Sequence, residues 1–161
     1  MSNAITRLLI GGIVTVTTGI SAASADEAAR KLTIVNPPNL YNPSPNGYST
    51  AVIVPANARL AYISGQGGRD DRGELSADFA IRVEQAYANL RTALDGLGAK
   101  PDRVAKLTIY VVDHDMSKLE VLTRTVKTMF GEALPAQTLV PVPKLAIDAM
   151  LFEVEAVVLL D

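Results

Sequence analysis

Leu134-Pro135-Ala136-Gln137-Thr138-Leu139-Val140 and Leu151-Phe152-Glu153-Val154-Glu155-Ala156-Val157-Val158, both near the end of the 161-residue chain, decide how it is read. The first stretch follows a proline and is rich in apolar and β-branched residues, so it reads as a strand. The second alternates. Side chains on a strand point to opposite faces in turn, which puts Glu153 and Glu155 on one face and Phe152, Val154 and Ala156 on the other. Two carboxylates sharing a strand face mark a cleft or a wet surface. Between the stretches, Pro141-Val142-Pro143-Lys144 bars a regular central ladder, because proline lacks the amide hydrogen that the ladder needs.

Working back, Ser117 and Glu120 have capping-box spacing, with Met116 and Val121 placed for a hydrophobic staple. Leu119, Leu122, Val126, Met129 and Phe130 continue as a buried helical stripe that ends at Gly131. Arg124 and Lys127 fall on the solvent side. Val104 to Val112 is the clearest strand, with Leu107, Ile109 and Val111 on one face. Before it, a helix is expected from about Ala77 to Leu97, with Ser76 as N-cap, Asp78 in the first turn and Phe79, Val83, Tyr87, Leu90, Leu94 and Leu97 as its apolar stripe. Gly96 and Gly98 end it. Ala51 to Pro55 and Leu60 to Ser64 read as the arms of a β-hairpin joined by Ala56-Asn57-Ala58-Arg59. The second arm runs into Ser64-Gly65-Gln66-Gly67-Gly68, where glycines permit positive φ or a close backbone approach. No Lys-Ser/Thr follows, so it is not a phosphate loop. Asn36 to Gly47 holds four prolines and an Asn-Gly pair, an ordered loop that leads into Tyr48. The order is α+β, a mixed sheet with two helices on one face.

Composition bounds the function. Apolar residues make up 48% and charged residues 20%, with a formal charge of −2, as in a soluble single domain. The basic residues are scattered, so no nucleic-acid partner is expected. The absence of cysteine removes thiol nucleophiles, thiolate metal sites and disulfides. The single histidine, His114, stands between Asp113 and Asp115. It lacks the further ligands of a zinc site and reads as an exposed loop residue, so no metal is expected there. Asp26 to Lys31 suits a short helical turn. Residues 1–25 carry Arg7 as their one charge, then a short apolar run and a small-residue tail ending at Ala25. This is the pattern of a secretory signal, cleaved after Ala25, which leaves a single domain over 26–161. The alternative is a retained N-terminal segment and a cytoplasmic protein. Without Arg7 the 15 basic residues become 14 against 17 acidic, or −3. Export to the periplasm or beyond is then expected, with no membrane association once the signal is removed.

Pro135-Ala136-Gln137, Glu153-Val154-Glu155-Ala156, Ser64-Gly65-Gln66 and Asn46-Gly47-Tyr48 together resemble the reactive intermediate deaminase (RidA/YjgF) family over residues 33–160. In that family Pro-Ala-Arg opens one strand and Glu-Ile-Glu-Ala closes the next. The resemblance implies a chorismate-mutase-like fold, a homotrimer with small-molecule clefts between subunits, and hydrolysis of enamines or imines to a keto acid and ammonia without cofactor or metal. It also implies site roles: Glu153 positioning the water, with Tyr48, Ser64, Gly65 and Gln137 binding substrate. Gln137 stands where the family has the arginine that clamps the substrate carboxylate. Leu139 stands where many relatives carry cysteine, and one extra residue separates Gln137 from Glu153.

A glutamine supplies neither the charge nor the bidentate fork of arginine. A charge-assisted hydrogen bond contributes about 1.5–3 kcal/mol against about 1 for a neutral one, so carboxylate substrates would lose on the order of tenfold or more in affinity. The expected function is therefore an enzyme of this type with altered specificity. The alternatives are a non-catalytic ligand-binding or protective trimer, and a standard 2-iminobutanoate/2-iminopropanoate deaminase.

Overall fold

The computed structural model describes residues 31–160. The leader expectation for 1–25, and most of the helical turn expected over 26–31, lie outside them. The elements are β1 (Thr33–Val35), β2 (Ala51–Ile53), β3 (Arg59–Gly67), α1 (Phe79–Gly96), β4 (Val104–Val112), α2 (Met116–Phe130), β5 (Ala136–Val142) and β6 (Phe152–Leu160). Four strands form one sheet in the order β3-β6-β4-β5, antiparallel at both contacts of β6 and parallel between β4 and β5. The architecture is α+β, two helices on a mixed sheet. Pro141 is accommodated because β5 is the sheet edge, paired on one side only.

The expected hairpin does not form. β2 pairs with β1, a strand absent from the sequence reading, while β3 pairs with β6 from Arg59↔Leu160 to Gly67↔Glu153. The reason is length and partner. β3 runs for nine residues and finds a nine-residue apolar partner in β6, whereas β2 offers only three. Consequently Ser64-Gly65-Gln66-Gly67 lies inside a strand, with a β-bulge between Ile63 and Gln66, and is not a turn after it.

Both helices start differently from expectation. Asp78, not Ser76, caps α1, its carboxylate accepting from the amides of Ala80 (2.7 Å) and Ile81 (3.1 Å). Ser76 instead accepts from the Asp78 amide (3.1 Å). Asp115 caps α2, taking the amides of Ser117 (2.8 Å) and Lys118 (3.2 Å) together with the Ser117 hydroxyl (2.6 Å). In both cases one carboxylate satisfies two of the amides left open at the helix start, more than a serine hydroxyl does. Met116 is 76% exposed, so the expected staple is not made.

The core lies between the helices and one sheet face. Val83, Ala86, Tyr87, Leu90 and Leu94 from α1, and Leu122, Val126 and Phe130 from α2, meet Leu107, Ile109 and Val111 of β4 and Phe152, Val154 and Val158 of β6. Tyr87 stacks on Phe152 at 6.0 Å between ring centroids. Leu97, expected in the stripe, is the C-terminal cap of α1 and is exposed. His114, expected to be exposed, is half-buried, and its Nδ1 has no hydrogen-bond partner.

Candidate functional site

Register assigns each site residue to a face. Across β4, Gln137 is opposite Leu107 and Leu139 opposite Ile109, so both look toward the helix side. Leu139 packs against the core. The Gln137 Oε1 is buried with no hydrogen-bond partner. Glu153 is opposite Tyr110 and Glu155 opposite Thr108, on the face without helices. Gln137 and Glu153 thus stand on β5 and β6, separated by β4, and on opposite faces of the sheet.

Each has its own company. The loop after the 3₁₀ turn Ser44–Asn46 reaches Gly47 (φ +83°), a left-handed residue that lets Tyr48 and Ser49 turn toward β5. Ser49 donates its hydroxyl to the Leu134 carbonyl (2.6 Å) and its amide to the Pro135 carbonyl (2.9 Å), and bridges Ala136 in parallel. Half-buried Tyr48 is thereby stitched beside the start of β5, one residue from the strand that carries Gln137. Backbone pairing through Ser49 thus brings Tyr48 to the start of β5, the strand that carries Gln137 and Leu139.

Gly65 and Glu153 meet elsewhere, with Ser64 next in sequence to Gly65. The Glu153 side chain lies over Gly65: a Cβ there would meet its Oε1 and Cδ and come within 2.6 Å of its Cγ. Gly65 has no positive φ, so the requirement is space for the carboxylate and not backbone freedom. Gly68 has the same need for another reason, because its Cβ would meet the Arg82 carbonyl oxygen and lie 2.8 Å from the Arg82 Cα. The register irregularity between Ile63 and Gln66 falls where Gly65 lies against Glu153.

Glu155 is held from the side. The Tyr110 hydroxyl donates to its Oε1 at 3.2 Å. Burial, followed by the charges of Glu155 and Glu153, pushes the Tyr110 hydroxyl above its ordinary pKa, so it stays a donor at neutral pH. Lys106, four residues before Tyr110 on β4, donates to the Thr138 hydroxyl. Sequence reasoning passed over Tyr110 and Lys106 although the signal was present: if Leu107, Ile109 and Val111 face the core, then Lys106, Thr108 and Tyr110 face away. Among the described residues no group of His, Cys, Asp and Glu could hold a metal ion. No helix among them is long and apolar enough to cross a membrane.

Comparison with known proteins agrees with this architecture. The family model described as Endoribonuclease L-PSP matches residues 41–160. A 2-iminobutanoate/2-iminopropanoate deaminase of Dermatophagoides farinae is 30% identical over 122 residues, 74% of this chain and 91% of that protein. A RutC family protein of Pyrococcus abyssi is 31% identical over 119 residues, 71% and 88% of the two chains. Among solved structures, the Rid family protein YyfB of Yersinia pestis, itself of unknown function, superposes with a TM-score of 0.76 at 31% identity. That match covers 81% of this chain and 99% of the other. The sheet order, the two helices and these matches make the chain a member of the Endoribonuclease L-PSP family, the Rid/YjgF proteins.

Proposed function

We propose that the protein is a small-molecule enzyme of the deaminase type, acting at a site shared between copies of the chain, with its preference moved away from carboxylate substrates. The observation that carries this reading is the Glu153 carboxylate laid over Gly65 beside Ser64, on the free sheet face. A carboxylate there can take a proton from water as it adds to the carbon of a C=N bond. Proton transfer to nitrogen and cleavage of the C–N bond then release ammonia and leave a carbonyl. Gln137 looks to the opposite face, with Tyr48 brought by Ser49 to the start of its strand, so one chain offers two half-sites that do not meet. Packing the β5 edge of one chain against the free face of the next joins them, which supports a closed oligomer, here a homotrimer. The acidic pair Glu153 and Glu155 would repel phosphodiesters, which favours a small molecule over RNA.

Gln137 sets the specificity. Its amide is neutral, so it cannot offset the charge of a substrate carboxylate. An imine or enamine whose anchoring group is an amide or another neutral donor–acceptor fits it better. The test measures ammonia release from freshly generated 2-aminoacrylate and from its amide counterpart. Faster turnover of the amide, abolished by Glu153→Gln, is expected, and Gln137→Arg should shift preference toward the acid by tenfold or more. Equal or better turnover of the acid by the unaltered protein would make it a standard deaminase. No turnover of either, with ligand recovered unchanged, would make it a binding protein. For residues 1–25 we propose an export signal: expression in a bacterial host should yield protein outside the cytoplasm beginning at Asp26, and an intact N-terminus in the cytoplasm would refute it.

A further inference from the structure

The two carboxylates of β6 turn to different neighbours. In the sheet order, β6 runs between β3 and β4. On β4, Tyr110 pairs with Glu153 and Thr108 with Glu155. On β3, Ile63 pairs with Ala156 and Gln66 with Val154, so Ser64 and Gly65 together face the single position of Glu155. Neither carboxylate stays level with its own partners. Glu153 reaches toward β3, where it lies over Gly65. Glu155 reaches toward β4, where its Oε1 accepts the Tyr110 hydroxyl at 3.2 Å. Each side chain thus runs diagonally to a residue that faces the other, and the two run in opposite directions.

Same-face neighbours on a strand stand about 7 Å apart, within the combined reach of two glutamate side chains. The space over Gly65 is within reach of Glu155 too, because Gly65 is one of the two residues that face it. A Glu155 carboxylate swung to that side would bring like charge against Glu153 and compete for the same place. The Tyr110 hydroxyl keeps it on the β4 side. Burial, followed by Glu155 and last by Glu153, raises the Tyr110 pKa, so the hydroxyl retains its proton and donates across the neutral range. Resting on the reading that Glu153 activates water, we propose that Tyr110 is a positioning residue for it: by tethering Glu155 to β4, it reserves the space over Gly65 for the Glu153 carboxylate alone.

Crystal structures and steady-state kinetics of Tyr110→Phe test it, because this variant keeps the ring and loses only the donor. Its structure should show Glu155 turned toward Ser64 and Gly65, with Glu153 moved off Gly65. Kinetics are measured on whichever substrate, 2-aminoacrylate or its amide, the unaltered protein turns over faster. There kcat should fall about tenfold or more while KM stays within about twofold. In a Glu155→Ala background, where no second carboxylate competes, the same substitution should cost nothing. A hydroxyl that only supported the fold would cost as much in either background. The proposal is overturned if both carboxylates keep their places in Tyr110→Phe, if kcat is unchanged, or if the loss persists beside Glu155→Ala. Displacement of Glu153 in Tyr110→Phe, with no turnover by the unaltered protein, would refute the catalytic role of Glu153 and support the tether.

Discussion

The helix-covered face and the free face of the sheet are made from alternate residues of the same strands, yet they tolerate change in different ways. On the covered face Leu107, Ile109, Phe152, Val154 and Val158 are almost fully buried and held by two helices. On the free face Lys106, Thr108, Tyr110, Glu153 and Glu155 are half-buried, with Tyr110 donating to Glu155 and Lys106 to Thr138 of β5. The first face stores stability in packing, where each lost atom leaves a void. The second stores geometry, where a lost atom releases a carboxylate.

Phe152→Ala should break the covered face most severely. The ring is 1% exposed, stacked on Tyr87 and edge-on to Phe79, so its loss should cost about 3–5 kcal/mol by urea denaturation. A cost below about 1 kcal/mol would mean that the aromatic cluster is not packed as described. Gly68→Ala comes next. Its methyl group would meet backbone atoms of Arg82, which cannot swing aside, and a loss of about 1–3 kcal/mol is expected as α1 is pushed from β3.

Gly65→Ala sharpens the contrast, since the same substitution three residues earlier meets a flexible side chain. Glu153 can move away, so stability should change by less than about 1 kcal/mol while turnover that depends on Glu153 collapses. Equal losses of stability in the two glycine variants would erase the distinction between the faces.

The helix caps give a pH-dependent test. The Ser117 hydroxyl, followed by the Lys118 amide, holds the Asp115 carboxyl below its ordinary range. Because the folded value is the depressed one, this contribution is complete above the unfolded carboxylate pKa and fades as pH falls through the folded value. Hydrogen exchange at the first turn of α2 should speed up on acidification, and Asp115→Asn, which still caps, should flatten that response. Smallest of all is Tyr87→Phe. The Tyr87 hydroxyl is buried with no partner, and burial pushes its pKa far up. Removing an unsatisfied group should leave stability unchanged or raise it slightly. A loss above about 1 kcal/mol would reveal a hidden partner.

Much of this was legible in local pattern. Alternation in Leu107-Thr108-Ile109-Tyr110-Val111 and in Phe152 to Val157 sets which residues share a face, and the helical stripes in α1 and α2 follow from spacing alone. The glycines after Ser64 were visible as exceptional, but local rules offered positive φ or close approach without choosing. The misread features were those that depend on a distant competitor. Ser76 and Ser117 are sound caps until Asp78 and Asp115 reach the same amides, and β2 is a sound hairpin arm until β6 takes β3.

The residues 134–158 that organise the chain show the same division. By itself the sequence determined that two strands lie there, that Glu153 and Glu155 share a face, and that a neutral glutamine stands at the family's arginine position. Only the tertiary structure decided that β4 separates these strands, so that Gln137 looks to the helices and Glu153 away from them. Side-chain alternation is a property of one strand, whereas the partner and register of a strand depend on residues far along the chain. That is why each half of the site could be read locally, while their placement on opposite faces could not.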